Sequence, residues 1–223
     1  MGRCRIRKIE AIDCAAGDDF AVCMDGHMDN MHHADLRPWT IDIAKAVMQA
    51  VEPYGLLFFE EPFNYDHINE YAELCKSASV DIAGGECLTT PTEFQAYADA
   101  DALDIAQPDA SFIGIEPFVD VATLFAARGR QIATHAWSSG AGVMANIHAT
   151  FASPGLAILE IPPLAGPLHT EVWVPGLRFQ DGYILPPDAP GLGVTLTEEI
   201  KNRFPFVPGS GEFNPVPGKL HVT

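Results

Sequence analysis

Phe58-Phe59-Glu60-Glu61-Pro62 sets two carboxylates directly behind a short apolar run, Gly55-Leu56-Leu57-Phe58-Phe59, and closes it with a proline. An unbroken apolar run of this length is strand-sized and suits a strand buried on both faces. The same arrangement recurs on either side. Upstream stands Met24-Asp25-Gly26-His27; downstream come Gly84-Gly85-Glu86, Gln107-Pro108-Asp109, Thr134-His135 and Leu159-Glu160. Asp25 to Glu60 is 35 residues, and the next four intervals are 26, 23, 26 and 25. Each interval is the length of one strand, one loop and one helix. Polar groups that end successive βα units converge on one face of a barrel, which is where such folds keep their chemistry.

The segments between these points fit the rhythm. Ile6, Ile9 and Ile12 form a helical stripe in residues 3–15, and Phe20 to Met24 is an apolar run that predicts a strand ending at Asp25. A helix is expected over 40–53, with Thr40 as N-cap and Ile43, Val47 and Val51 as its buried stripe; Pro53-Tyr54-Gly55 stops it. The cycle then predicts strands at 56–59, 80–83, 103–106, 131–134 and 157–159, and helices near 66–77, 91–100, 116–128 and 140–152. Alternation of this kind implies right-handed crossovers and a parallel sheet. The fold class is therefore α/β, a (β/α)8-type TIM barrel of which about six βα units are present in residues 1–160. Residues 161–223, rich in Pro and Gly, are expected to pack on the barrel as loop and short strands, with a helical turn near 197–203.

Composition narrows the function. Thirty acids against 13 bases give a formal charge of −17, which argues against nucleic acid or an anionic membrane as partner. The longest apolar runs are strand-sized, and Met1-Gly2-Arg3-Cys4-Arg5 has no apolar stretch behind it, so no membrane span or secretory signal is expected. Five cysteines without a C-x-x-C pair suit free thiols in a cytoplasmic protein.

Asp25, Glu60 and Glu86 end three consecutive strands. Carboxylates crowded at a barrel mouth repel one another, and a hard divalent cation relieves that repulsion. Oxygen donors favour Mg2+, with Mn2+ the next candidate. The alternative is that each acid caps the following helix or pairs with a base. Asp109 and His135 end two further strands and suit a base whose tautomer is fixed by a carboxylate; otherwise they are a helix cap and a core histidine. His27 lies two residues past Asp25 and, in extended backbone, would face the same cavity. It could instead belong to a local cluster with Asp29, His32 and His33. Glu160 could hydrogen-bond a substrate oxygen or stand as a rim carboxylate. His67, His148, His169 and His221 have no comparable context.

Taken together, Asp25-Gly26-His27, Phe59-Glu60-Glu61-Pro62, Gly85-Glu86, Gln107-Pro108-Asp109-Ala110, Thr134-His135, Leu159-Glu160 and Pro190-Gly191-Leu192-Gly193 resemble the barrel domain of the enolase superfamily, in its mandelate racemase-like branch. The resemblance implies that Asp25, Glu60 and Glu86 hold Mg2+, that His135 with Asp109 moves a proton next to a carboxylate, and that Glu160 lies near the substrate carboxylate. Many racemase-like members carry Asp-x-Asn where this chain has Asp25-Gly26-His27. Asp-x-His resembles the galactonate- and mannonate-type acid-sugar dehydratases, in which this histidine is the acid that assists a departing β-hydroxyl. The resemblance thus implies a lyase that removes water from a sugar acid through a metal-stabilised enediolate to give a 2-keto-3-deoxy acid. A racemase or epimerase, or a catalytically incomplete fragment, is the alternative. The family's capping domain and first two barrel strands have no counterpart in this sequence. Unpaired apolar edges at 20–24 and 157–159 are therefore expected, with weak activity and self-association as their consequences.

Overall fold

The computed structural model describes residues 8–12, 14–15, 17, 20–28, 38–162, 166–172 and 176–205. Residues 8–12 and 14–15 are helical. Asp29, His32, His33 and His221 lie outside the described residues, as does Ile6 of the amino-terminal helical stripe.

Six short strands carry the architecture: β1 (Met24–Asp25), β2 (Phe59–Glu60), β3 (Ile82–Gly84), β4 (Ile105–Ala106), β5 (Gln131–Ala133) and β6 (Leu156–Ile158). They lie side by side in chain order and every neighbouring pair is parallel. The crossovers are α1 (Ile41–Val51), α2 (Ile68–Ser77), α3 (Pro91–Asp99), α4 (Ala110–Ile113) followed by α5 (Ile115–Ala126), and α6 (Gly140–Phe151). This is the partial (β/α) barrel that the spacing implies. Among the described residues β1 and β6 have no strand on their outer sides. Phe20, Leu156 and Ile158 are exposed there.

Alternation along the strands sorts side chains into two layers. Phe58, Ala83, Ile105 and Ala133 pack together on the inner face, with Leu57 and Ala157 at its margins. Phe59, Ile82, Ala106 and Ile132 face the other way, into a larger core with Met48, Tyr71, Leu74, Phe94, Phe118 and Phe125 from the helices. A third apolar cluster joins Val143, Met144 and Ile147 of α6 to Val172, Ile200, Leu192 and Phe204. Residues beyond β6 therefore pack on the helical layer. They include α7 (Pro167–Thr170), a hairpin of β7 (Phe179–Gln180) and β8 (Tyr183–Ile184), and α8 (Glu198–Arg203).

Several local expectations shift. The strand expected over 20–24 joins the ladder only at Met24–Asp25, although Val22 O still accepts from Leu57 N at 2.8 Å. Thr40 does cap α1, its Oγ1 accepting from Ile43 N. The buried stripe of that helix is Ala44, Met48 and Val51, whereas Ile43 is 46% exposed. Val51 is thus buried as expected and Val47 packs at the margin of the core, while Ala44 and Met48 take the centre of the stripe in place of Ile43. Asp109 is followed at once by the extra helix α4, which apolar periodicity in so short a segment cannot announce.

Helix α3 shows how strongly the chain specifies its own starts. Thr90 Oγ1 accepts from Glu93 N at 3.3 Å while Glu93 Oε2 accepts from the backbone N–H groups of Thr90 and Thr89 at 2.8 and 2.9 Å, with Pro91 in the first turn. Burial alone would raise the Glu93 carboxyl, but the bonds from Thr90 and Thr89 together outweigh it and hold the group below the ordinary glutamate range. A carboxyl lowered on folding adds stability above its unfolded value and loses it as pH falls through the folded one. Thr90→Ala is expected to cost about 1 kcal/mol in urea unfolding at neutral pH. Glu93→Gln should cost less at acid pH than at neutral pH.

Candidate active site at the mouth of the sheet

Parallel register brings the strand ends to one level. Asp25 pairs with Glu60, and Glu60 with Ala83, whose side chain lies on the inner face. Glu60 also shares a face with Phe58 two residues earlier, so its carboxyl rises above the inner layer into the mouth. Beyond the ladder the two chain ends stay joined: Gly26 N donates to Glu60 O at 2.8 Å and Met28 N to Glu61 O at 3.0 Å. Gly26 is required by this approach, since a Cβ there would sit 2.8 Å from Glu61 O.

His27 reaches the cluster by a route other than the expected one. The backbone is not extended at this point; His27 has φ 52°. The turn lets His27 N donate to Asp25 Oδ1 at 2.6 Å and sets its Nδ1 3.2 Å from Asp25 Oδ2 and 3.5 Å from Glu61 Oε2. Glu61 has φ 44° and is fully buried. Donor atoms of Asp25, His27 and Glu61 lie within 4.8 Å of one another, as do those of Glu61, Glu86 and Cys87. Glu61, which the sequence presents only as the neighbour of Glu60, is thus common to both groups. Glu60 is in neither, yet it feels the same charges. Burial, followed by Asp25, Glu86 and Glu160, pushes its carboxyl up to about 8 against a hydrogen bond from Gln107. Burial likewise raises Glu86, more than His135 and His27 lower it.

Across the mouth, His135 Nδ1 stands 2.9 Å from Asp109 Oδ2, and His135 Nε2 stands 3.8 Å from Glu86 Oε2. Burial opposes charge on the ring, but the bond to Asp109 and the charges of Glu86, Asp109 and Glu160 hold it above the ordinary histidine value. Asp109 is fully buried; burial alone would raise it, and the bonds from His135, Ser111 and Asn146 keep it below the usual aspartate range. It therefore stays an acceptor, and Nδ1 of His135 carries the proton. Glu160 Oε2 accepts from Ala136 N at 2.6 Å, which ties the end of β6 to the loop after β5. The ring of Phe112 lies 6.2 Å from that of His135, forming one apolar wall of the mouth.

The pattern of the enolase C-terminal domain-like family matches residues 2–200. This chain belongs to that family. It is 30% identical over 197 residues to the L-talarate/galactarate dehydratase of Salmonella typhimurium, covering 88% of this chain and 45% of that protein. A mandelate racemase/muconate lactonizing enzyme from a Jannaschia species superposes with TM-score 0.80 at 30% identity, over 91% of this chain and 50% of the other. The L-talarate dehydratase of a Polaromonas species, in complex with Mg and L-glucarate, superposes with TM-score 0.75 at 25% identity, over 91% and 52%. The chain spans about half the length of these relatives.

Asp25, His27, Glu60, Glu86, Asp109, His135 and Glu160, the residues singled out from the sequence, thus all lie at one end of the sheet. Three further residues carry no signal of role in the motifs. Gln107 is buried against Glu60, Ser111 opens α4, and Asn146 sits in the buried run Val143-Met144-Ala145-Asn146-Ile147. An amide inside such a run is the only cue the sequence offers. His67 pairs with Asp66 and Glu70, and His169 Nε2 with Ser138 O, away from the dyad.

Gly26→Ala is expected to push the 25–28 segment off Glu60 and Glu61, with a loss of about 1–3 kcal/mol. Urea unfolding would measure that loss, and faster amide exchange at Met28 would localise it.

Proposed function

We propose that this chain supplies the metal-holding and proton-moving machinery of a Mg2+-dependent acid-sugar dehydratase. The observation that carries the reading is the His135–Asp109 pair. With Nδ1 bonded to Asp109, it turns Nε2, the nitrogen that can take up a proton when the ring is neutral, toward a mouth lined by Asp25, Glu60 and Glu86. An all-oxygen donor set fits Mg2+, and a Glu60 carboxyl pushed up to about 8 among other acids is a group that a cation would discharge. Bound there, the cation would neutralise a substrate carboxylate and so acidify the hydrogen on the adjacent carbon.

The side chains divide the remaining work. His135 Nε2 takes the α-hydrogen as a proton, and Asp109 holds the ring in the tautomer that can do so. The electron pair left on the α-carbon forms a double bond to the β-carbon as the β-hydroxyl departs. His27, half-exposed and hydrogen-bonded through its backbone to Asp25, gives that hydroxyl its proton so that it leaves as water. The resulting enol becomes a 2-keto-3-deoxy acid. Glu160 keeps the loop after His135 in place through Ala136. The names of the Salmonella and Polaromonas relatives support a sugar acid as substrate, and a bound Mg in the latter supports the cation.

With Mg2+ and galactarate or talarate in D2O, the chain is expected to exchange the α-hydrogen and to form a product that reacts with semicarbazide. His135→Asn should lower both by about 10²–10⁴-fold. His27→Asn should keep exchange and lose the keto product; undiminished keto formation there would remove His27 from the mechanism. Exchange without any keto product in the unaltered chain would select epimerisation instead. In calorimetry, Asp25→Asn, Glu60→Gln and Glu86→Gln are each expected to weaken Mg2+ binding by about tenfold or more.

A further inference from the structure

Asp109 has two oxygens in unequal surroundings. Among the described residues Oδ2 meets only His135 Nδ1, at 2.9 Å. Oδ1 accepts three bonds: from Ser111 N at 2.7 Å, Ser111 Oγ at 2.6 Å and Asn146 Nδ2 at 2.7 Å. Asn146 is itself completely buried, and its amide can take only one orientation. Its Oδ1 accepts from Ala110 N at 2.7 Å while its Nδ2 also donates to Gly142 O at 3.2 Å. Turning the amide over would set a carbonyl against the Asp109 carboxylate and an NH2 against the Ala110 N–H.

We infer that Asn146, together with Ser111, is the positioning residue of this site: it saturates Asp109 Oδ1 and so leaves Oδ2 as the one seat for the His135 Nδ1 proton. Three donors on one oxygen stop the carboxylate from rotating about its own axis. A carboxylate free to rotate would present either oxygen, and the imidazole would follow it or exchange its proton to Nε2. Asn146 does this from the middle of α6, the helix that connects β5 to β6. The position of the base is thereby tied to a helix that packs on the C-terminal segment through its neighbours Met144 and Ile147. Ser111 acts from a different element, the first turn of α4, where Asp109 is also the N-cap.

The catalytic side of this inference rests on His135 being the base; its structural side does not. In the full chain carrying ¹⁵N-labelled histidine, at one fixed pH, His135 should show a hydrogen-bonded Nδ1–H that is protected from exchange. In Asn146→Ala that signal should broaden or be lost, and with sugar acid and Mg2+ the kcat for α-hydrogen exchange should fall about 10–100-fold with KM little changed. Ser111→Ala, at an exposed position that leaves the core intact, should give a smaller loss of the same kind, and the double variant should lose less than the product of the two. An unchanged Nδ1–H signal in a folded Asn146→Ala, or in Ser111→Ala should Asn146→Ala fail to fold, would overturn the inference. If the unaltered chain exchanges no α-hydrogen, the proposed reaction fails, and the Nδ1–H signal still decides the role of Asn146.

Discussion

Everything at the mouth depends on one constraint, the parallel hydrogen-bond ladder that holds six strand ends at a common height. A parallel pair offers evenly spaced bonds along both partners, so neighbouring strands advance together. Asp25, Glu60 and the inward Ala83 are register neighbours because of it. The residues that follow each strand must then share one small volume, whatever their charges. Repulsion among the acids follows from this geometry and not from any local preference of the chain. The burial that stabilises Phe58, Ala83, Ile105 and Ala133 beneath them also withholds the water that would otherwise screen them.

Much of this is legible from residue order. Continuous apolar runs of strand length, each ending in an acid or an imidazole at a recurring interval, suffice for six strands, their direction and the end at which the acids and the imidazole gather. What escapes is whatever depends on backbone turns or on contacts between distant segments. His27 comes beside Asp25 through a left-handed residue, not through strand alternation. Glu61 is drawn into the centre by its own left-handed backbone, while the Glu60 carboxyl is raised first by burial and then by Asp25, Glu86 and Glu160, which come from other βα units. Asn146 and Asp109 are 37 residues apart, and only folding shows that an amide in an apolar helix completes a carboxylate's shell. In α1 the miss at Ile43 has a simpler reason: Ala44 is small but central, and Ile43 is large but turned outward.

The two halves of the mouth are built in opposite ways. Asp109 and Asn146 are buried, His135 is largely enclosed, and the three are joined in one hydrogen-bonded chain supported from two helices, which suits groups whose orientation must not vary. Asp25 and His27 stand on a turn, more exposed, and are held mainly by bonds to each other and to the chain after β2. The mouth is therefore more open on the Asp25 and His27 side than on the side of the dyad.

The left-handed backbone at His27 bears on how such a site can diversify. Most residues are strained at φ 52°, and β-branched ones most of all, whereas Asn and His are among those that adopt it comparatively readily. A lineage could therefore pass between Asp-x-Asn and Asp-x-His by changing this one side chain, with no rebuilding of the loop. What such a step alters is whether the position carries an exchangeable proton on a ring or only a fixed amide. A conformational filter on which residues fit would then also act as a filter on which reactions this scaffold can reach.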